Sequence, residues 1–331
     1  AFVAWSIAPL RHPASPISST KILDRNGGLL YEVVKPEEGR RTLISRSSIP
    51  ASFVEALLAS EDQRFYSHHG IDVIAITRAF KDFILRQEIV SGASTLEQQV
   101  VKNLYFADKQ RTLFHKLREA TAAIYWSYTH TKDQTLETYV NTIFFGNQAL
   151  GLAAATETYF HKPTQDLTLA ESALLVGIIP APSAYDPYYH WKLARSRQQT
   201  VLDRMAERGV ISVEQREEAV TTAIDLFPPR HEIQAPHFVF RVLEILEARY
   251  PDLRMGGYTV KTSLDPEQQR QAEQTIKRRL AQLAGQHVTN AALMMMQPRS
   301  GEILAYVGSG DYFDTSIQGQ VDMVKAKRQP G

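Results

Sequence analysis

Apolar positions change their rhythm along this chain. Ile22, Leu23, Leu29, Leu30, Tyr31 and Val33 flank an Asn26-Gly27 step, and alternation about such a step predicts a β-hairpin. From residue 50 the period lengthens. Pro50 suits the start of a helix, and Phe53, Leu57 and Glu61 follow at four-residue steps, which puts an acidic side chain on an apolar face. Helical patterns continue to about residue 225. Leu96, Val100 and Leu104 form one stripe, with Ser94 and Glu97 at capping-box spacing before it. Leu113, Leu117, Ala120 and Ile124 form a second stripe, and Thr131 with Gln134 precedes Leu136, Tyr139, Val140, Ile143 and Phe144. The proline-rich run Ile179 to Pro187 breaks any regular element.

Past residue 226 the texture shifts again. Phe227-Pro228-Pro229-Arg230 reads as linker, Tyr258 to Leu264 as a strand, and Asp265-Pro266 as the start of a helix. Ala291 to Met296 and Glu302 to Val307 read as two strands joined by Pro298-Arg299-Ser300-Gly301. There is no internal repeat.

Composition narrows the function classes. A chain of 331 residues with 44% hydrophobic content holds a real core and has room for two domains. A net charge of +1 gives no overall electrostatic signature of a nucleic-acid binder, so attraction to an anionic ligand has to come from local clusters. With no cysteine there is neither a disulfide framework nor a thiolate metal site. Ala1 to Leu10 is apolar but well short of the about 20 residues that cross a bilayer. It reads equally as buried strand or as the cropped end of a longer apolar segment.

Glu61 is the strongest candidate for chemistry. On an apolar face with Asp62 beside it, its carboxyl is both desolvated and next to a like charge, and both effects raise a carboxyl pKa toward the range of a general base. His68 and His69 are adjacent, so they point in different directions, and no His-Glu-x-x-His pattern accompanies them; structural use is favoured over metal binding. Gln98, Gln99, Lys102 and Tyr105 share or flank one helix side, a polar wall containing a cation. Lys116 and Glu119, three apart, share a helix face turned away from Leu117.

These residues fall in ordered motifs. Glu61-Asp62-Gln63-Arg64-Phe65-Tyr66-Ser67-His68-His69-Gly70 is followed by Gly92-Ala93-Ser94-Thr95-Leu96-Glu97-Gln98-Gln99-Val100-Val101-Lys102-Asn103, then by Arg111 to Glu119 and by Lys132 to Asn141. Together they resemble the glycosyltransferase domain of class A penicillin-binding proteins, glycosyltransferase family 51, which polymerises bacterial peptidoglycan. The resemblance covers nearly the whole chain. It implies a mainly α, lysozyme-like domain at 41–225. Before it would come the end of a membrane anchor at 1–10 and a β-hairpin lead-in at 11–40. After it would come a linker at 226–290 and, at 291–331, a small α+β fragment of a penicillin-binding transpeptidase domain.

What the resemblance implies for the site is specific. Glu61 would be the general base and Glu119 the second carboxylate. Asp62, Ser94, Gln99, Lys102, Asn103, His115, Lys116 and Arg197 would line the sugar and diphosphate site, with His68 and Gly70 holding the loop that carries Glu61. The fourth motif would be mainly architectural. Five positions depart from the family pattern: Glu97 stands where threonine or another polar residue is common, His115 where arginine is usual, His161 where glycine is usual, and Gln198 and Gln199 where arginine and asparagine are usual. The substrates would be lipid II and the growing glycan strand. No required cofactor is implied; a divalent cation, Mg or Mn, is compatible with such a site, though no ligand set demands one. Expected partners are the membrane surface, moenomycin-type inhibitors and cell-wall synthesis proteins, and nucleic acid is not among them. The expected location is the outer face of the cell membrane, with a single-pass anchor.

Arg328-Gln329-Pro330-Gly331 is the text that in this family precedes the Ser-x-x-Lys nucleophile, so the parent is expected to be bifunctional and this chain to carry only glycan polymerisation. Its one Ser-x-x-Lys match, Ser18-Ser19-Thr20-Lys21, stands before a hairpin and has no Lys-Thr-Gly partner. Two rival readings remain. A lysozyme-like hydrolase would use the same two carboxylates without diphosphate-binding lysines. A non-catalytic scaffold that recruits cell-wall partners through the linker region is kept open by the departures at His115 and Gln199. Ile74, Ile76, Phe80, Phe83 and Ile84 offer either a membrane-dipping face or a core helix.

Overall fold

The computed structural model describes residues 2–11, 14–33, 39–78, 94–106, 112–227 and 233–327. The chain divides into two compact units, one of residues 1–17 with 36–229 and one of residues 18–35 with 230–331.

The first unit is helical. In chain order it comprises α1 (Phe2–Ile7), α2 (Ala51–Ser60), α3 (Leu96–Tyr105), α4 (Leu113–Thr129), α5 (Lys132–Thr142), α6 (Leu152–Phe160), α7 (Leu169–Ile178), α8 (Trp191–Glu207) and α9 (Val213–Thr221), with a short helical stretch at 73–78. Helix α7 is buried from Ala170 to Ile178, mostly apolar residues, with its Glu171 paired to Lys162. Helices α2 and α8 pack directly against it. Phe53, Leu57, Leu96, Val100, Leu136, Tyr139 and Val140 complete the core around them.

Two local expectations are corrected here. The capping box of α3 is Thr95 with Gln98, one residue later than Ser94 with Glu97. Both pairs have the required spacing, and Thr95 prevails because its hydroxyl also donates to the Gly70 carbonyl at 2.6 Å. On α4 the predicted apolar stripe is not the core face: Leu113 and Leu117 are exposed and Ala120 and Ile124 half-buried, while the buried residues are Arg118, Ala122, Ala123 and Trp126. Arg118 is buried because its guanidinium lies over the Trp5 and Phe106 rings, at 3.6 and 4.6 Å from their centroids. The N-terminal residues are helical, against the strand alternative, with Phe2 and Trp5 clustered on Phe114. No helix among the described residues is long and apolar enough to cross a membrane.

The second unit holds a three-stranded sheet in the order β2-β1-β3, from β1 (Thr20–Leu23), β2 (Leu29–Val33) and β3 (Thr259–Lys261). The predicted hairpin forms β1 and β2, while β3 lies parallel to β1 with Lys21 opposite Thr259. Helices α10 (Pro236–Glu247) and α11 (Pro266–Leu283) and the antiparallel pair β4 (Leu293–Met296) and β5 (Ile303–Val307) complete it. The expected boundaries change accordingly. The hairpin of the 11–40 lead-in belongs with the C-terminal residues, because Ile22, Leu30 and Val33 share a core with Val239, Leu243, Leu253 and Leu264. The expected linker at 226–290 holds α10, β3 and α11. Arg328 to Gly331, Phe80, Phe83, Ile84, Gly92, Ala93 and Arg111 lie outside the described residues, whereas Ile74 and Ile76 are exposed.

Candidate active site

Glu61 is the residue at which α2 ends, its amide still bonded to the Leu57 carbonyl at 2.7 Å. The next side chain turns inward. Asp62 is only 5% exposed and accepts from His68 Nε2 at 2.9 and 3.1 Å and from the Leu96 amide at 3.0 Å. The Asp62 carboxylate therefore satisfies a free amide at the α3 N-terminus, where negative charge is favoured. This corrects the expectation that Asp62 faces substrate, since both of its oxygens are engaged inside the fold. Gly70 closes the loop against α4. Its φ is +83°, and a Cβ there would sit 2.4 Å from the Ala123 carbonyl oxygen. Gly70→Ala is expected to destabilise the protein by roughly 2–4 kcal/mol through backbone strain and steric overlap. Urea unfolding measures this, and a loss below about 0.5 kcal/mol would mean that the loop is not clamped as described.

A buried charge network braces the same loop. Glu97 is fully buried and takes a 2.6 Å ion pair from Lys132, whose ammonium also donates to the His68 carbonyl at 2.9 Å and lies 4.2 Å from the Phe65 ring centroid. Glu97 thus does not join the polar wall of α3. Asp62, His68 and Glu97 each bring a possible metal-ligand atom within 4.8 Å of the others. Their donor set does not fit a cation, because Lys132 already meets the charge of Glu97, and His68 and the Leu96 amide occupy Asp62.

Glu61 itself is held from the other side. Gln99 Nε2 donates to Glu61 Oε2 at 3.2 Å, and the Tyr139 hydroxyl donates to Gln99 Oε1 at 3.3 Å. The direction of this chain follows from the phenol. Burial, with the nearby Glu61 and Asp62 charges, pushes the Tyr139 pKa far up, so it keeps its proton and the amide must turn its NH2 toward Glu61. Burial also raises the Glu61 pKa, with a smaller upward push from Asp62; the Gln99 hydrogen bond and the Arg204 and Arg197 charges oppose the rise.

Lys116 Nζ donates to Ser94 Oγ at 2.7 Å and lies 3.5 Å from Glu119 Oε2. Lys116 is about half exposed, while Glu119 is largely covered. Lys102 and Asn103 are half-buried on the last turns of α3. His115 Nδ1 lies 2.8 Å from the Thr112 hydroxyl that caps α4. Among the described residues no hydrogen bond joins Glu61 to Glu119, and α3 links the two groups by carrying Gln99 five residues beyond Ser94.

A family model described as Transglycosylase matches residues 26–206, more than half of the chain. The chain belongs to the transglycosylase family. Penicillin-binding protein 1F of Bacillus subtilis (strain 168) is 33% identical over 321 residues, covering 95% of this chain and 44% of that protein. Penicillin-binding protein 1A of Escherichia coli (strain K12) is 35% identical over 243 residues, covering 72% and 28%. The crystal structure of Penicillin-Binding Protein 1A from Haemophilus influenzae aligns over 86% of this chain and 32% of that one, at 21% identity and a TM-score of 0.44. The chain therefore spans less than half the length of these relatives.

The transglycosylase match contains every candidate residue from Glu61 to Arg197. Arg197 lies on α8, its guanidinium 5.4 Å from the Tyr185 ring centroid and its charge acting on Glu61. Sequence reasoning missed Tyr139 as the residue that orients Gln99, and Arg204 as a charge acting on Glu61. Tyr139 gave one usable signal, a hydroxyl in an otherwise apolar stripe, since a buried tyrosine hydroxyl needs a partner.

Proposed function

We propose that this transglycosylase polymerises lipid II into peptidoglycan strands at the outer face of the cell membrane, within a longer protein that also carries a transpeptidase. The observation that carries the reading is Glu61, a half-buried carboxylate with a raised pKa, held by Gln99 and acted on by the Arg204 and Arg197 charges. In the reaction, Glu61 takes the proton from the 4-hydroxyl of the acceptor sugar. That oxygen bonds to the anomeric carbon of the growing strand as the bond from this carbon to the diphosphate oxygen breaks, with inversion, and undecaprenyl diphosphate leaves. Lys116, placed by Ser94 and Glu119, and Lys102 neutralise the charge that develops on the leaving group. Such cations serve diphosphate departure and have no task in hydrolysis by a muramidase. A divalent cation, Mg or Mn, is compatible with this reading but no step depends on it. The same site would bind moenomycin-type inhibitors.

Conversion of lipid II to polymer by the chain tests the reading directly. Lys116→Ala is expected to lower kcat/KM roughly ten- to a hundredfold, with a smaller loss at high salt. An unchanged rate and an unchanged salt dependence would reduce Lys116 to a solvated surface residue.

A further inference from the structure

Helix α8 carries Arg197 and Arg204 seven apart on one face, and Arg208 stands at its C-cap. Arg204 Nη1 donates to both the carbonyl and the hydroxyl of Ser60 at 3.2 Å, and Arg208 Nη1 donates to the Ala59 carbonyl. Ala59 and Ser60 are the last residues of α2, where carbonyls have no partner within the helix and a positive charge is favoured. The next residue is Glu61. Arg204 thus fixes the end of the segment that presents the carboxylate, and its charge also reaches that carboxylate. The other groups acting on Glu61 are Gln99 from α3, Arg197 from α8 and neighbouring Asp62, while Glu61 in turn acts on the Tyr139 phenol of α5. Arg208 differs instructively: it bonds the same helix end, yet its charge is not among those acting on Glu61.

We propose that Arg204 is a positioning residue for Glu61, which aims the carboxylate by tethering the end of α2 and brings a positive charge to bear on it. The inference rests on Glu61 as the general base. It assigns a second task to an arginine whose hydrogen bonds alone describe a helix cap.

The test compares wild type with Arg204→Gln, Arg204→Lys and Arg208→Gln in two measurements on the full chain. One is the pH profile of kcat/KM for lipid II polymerisation. The other is titration of the Glu61 carboxyl by carbon-13 NMR, assigned by its loss in Glu61→Gln, which needs no substrate. Arg204→Gln should move the acid limb and the carboxyl titration upward together by about half a pH unit or more, so that its deficit is largest at low pH. Arg204→Lys should recover most of the shift, because the charge remains. Arg208→Gln should lower the unfolding midpoint and leave the limb in place. If Arg204→Gln instead slows the reaction by one constant factor at every pH while the carboxyl titrates as in wild type, Arg204 is only a cap and the inference fails. A wild-type chain that does not polymerise lipid II overturns the proposed function, and the carboxyl titration still decides the inference.

Discussion

Glu61→Gln is expected to leave the chain folded while reducing conversion of lipid II to polymer by roughly 10²–10⁴-fold, the usual contribution of a positioned general base. The substitution preserves shape and removes the ability to accept a proton. In wild type the rate should fall as pH falls through the Glu61 pKa, and burial places that fall above the ordinary carboxylate range. The sign for stability is opposite. A carboxyl whose pKa is raised on folding favours the folded state at low pH, and this contribution is lost as pH rises through the folded value. Glu61→Gln should therefore match or exceed wild type in stability at neutral pH, while its acid limb disappears. Turnover within a factor of two of wild type would remove Glu61 from the base role, and so would a variant that loses activity only by unfolding.

Lys132→Met should be the most damaging change to the fold near the site. It strands the carboxylate of Glu97, which is fully buried, and removes the donor to the His68 carbonyl in the loop after Glu61. Breaking a buried pair from one side costs about 3–5 kcal/mol, because the partner charge stays behind without compensation. Glu97→Thr should cost less, since the Lys132 side chain is one-quarter exposed and keeps its carbonyl partner. The double variant Glu97→Thr with Lys132→Met should recover much of the loss, giving a coupling of a few kcal/mol in a double-mutant cycle. Denaturant unfolding provides all four stabilities. Additive single effects would show that the two residues are neighbours without being partners.

The departure at Glu97 illustrates how far sequence reasoning reaches. A carboxylate in place of threonine within the second motif reads as an extra negative charge in the substrate wall. In the fold it belongs to a brace with Lys132, thirty-five residues away. The same separation hides the tasks of Asp62 and Tyr139. Each touches α3, and neither bond is visible from spacing along the chain.

The order of helical and alternating apolar steps by itself determined the helical first unit, the hairpin at Asn26-Gly27 and the later strands, because local periodicity is set by backbone geometry. The acidic residue on an apolar face determined Glu61 as the candidate base, and the motif order determined the family. Only the tertiary structure decided which of two apolar faces of α4 is covered and which of two adjacent capping boxes closes. It alone placed the hairpin in the second unit, turned Asp62 inward and brought Arg204 to the end of α2. These outcomes depend on contacts between residues distant in sequence, and a side chain's partner, unlike its period, is fixed only when the helices pack.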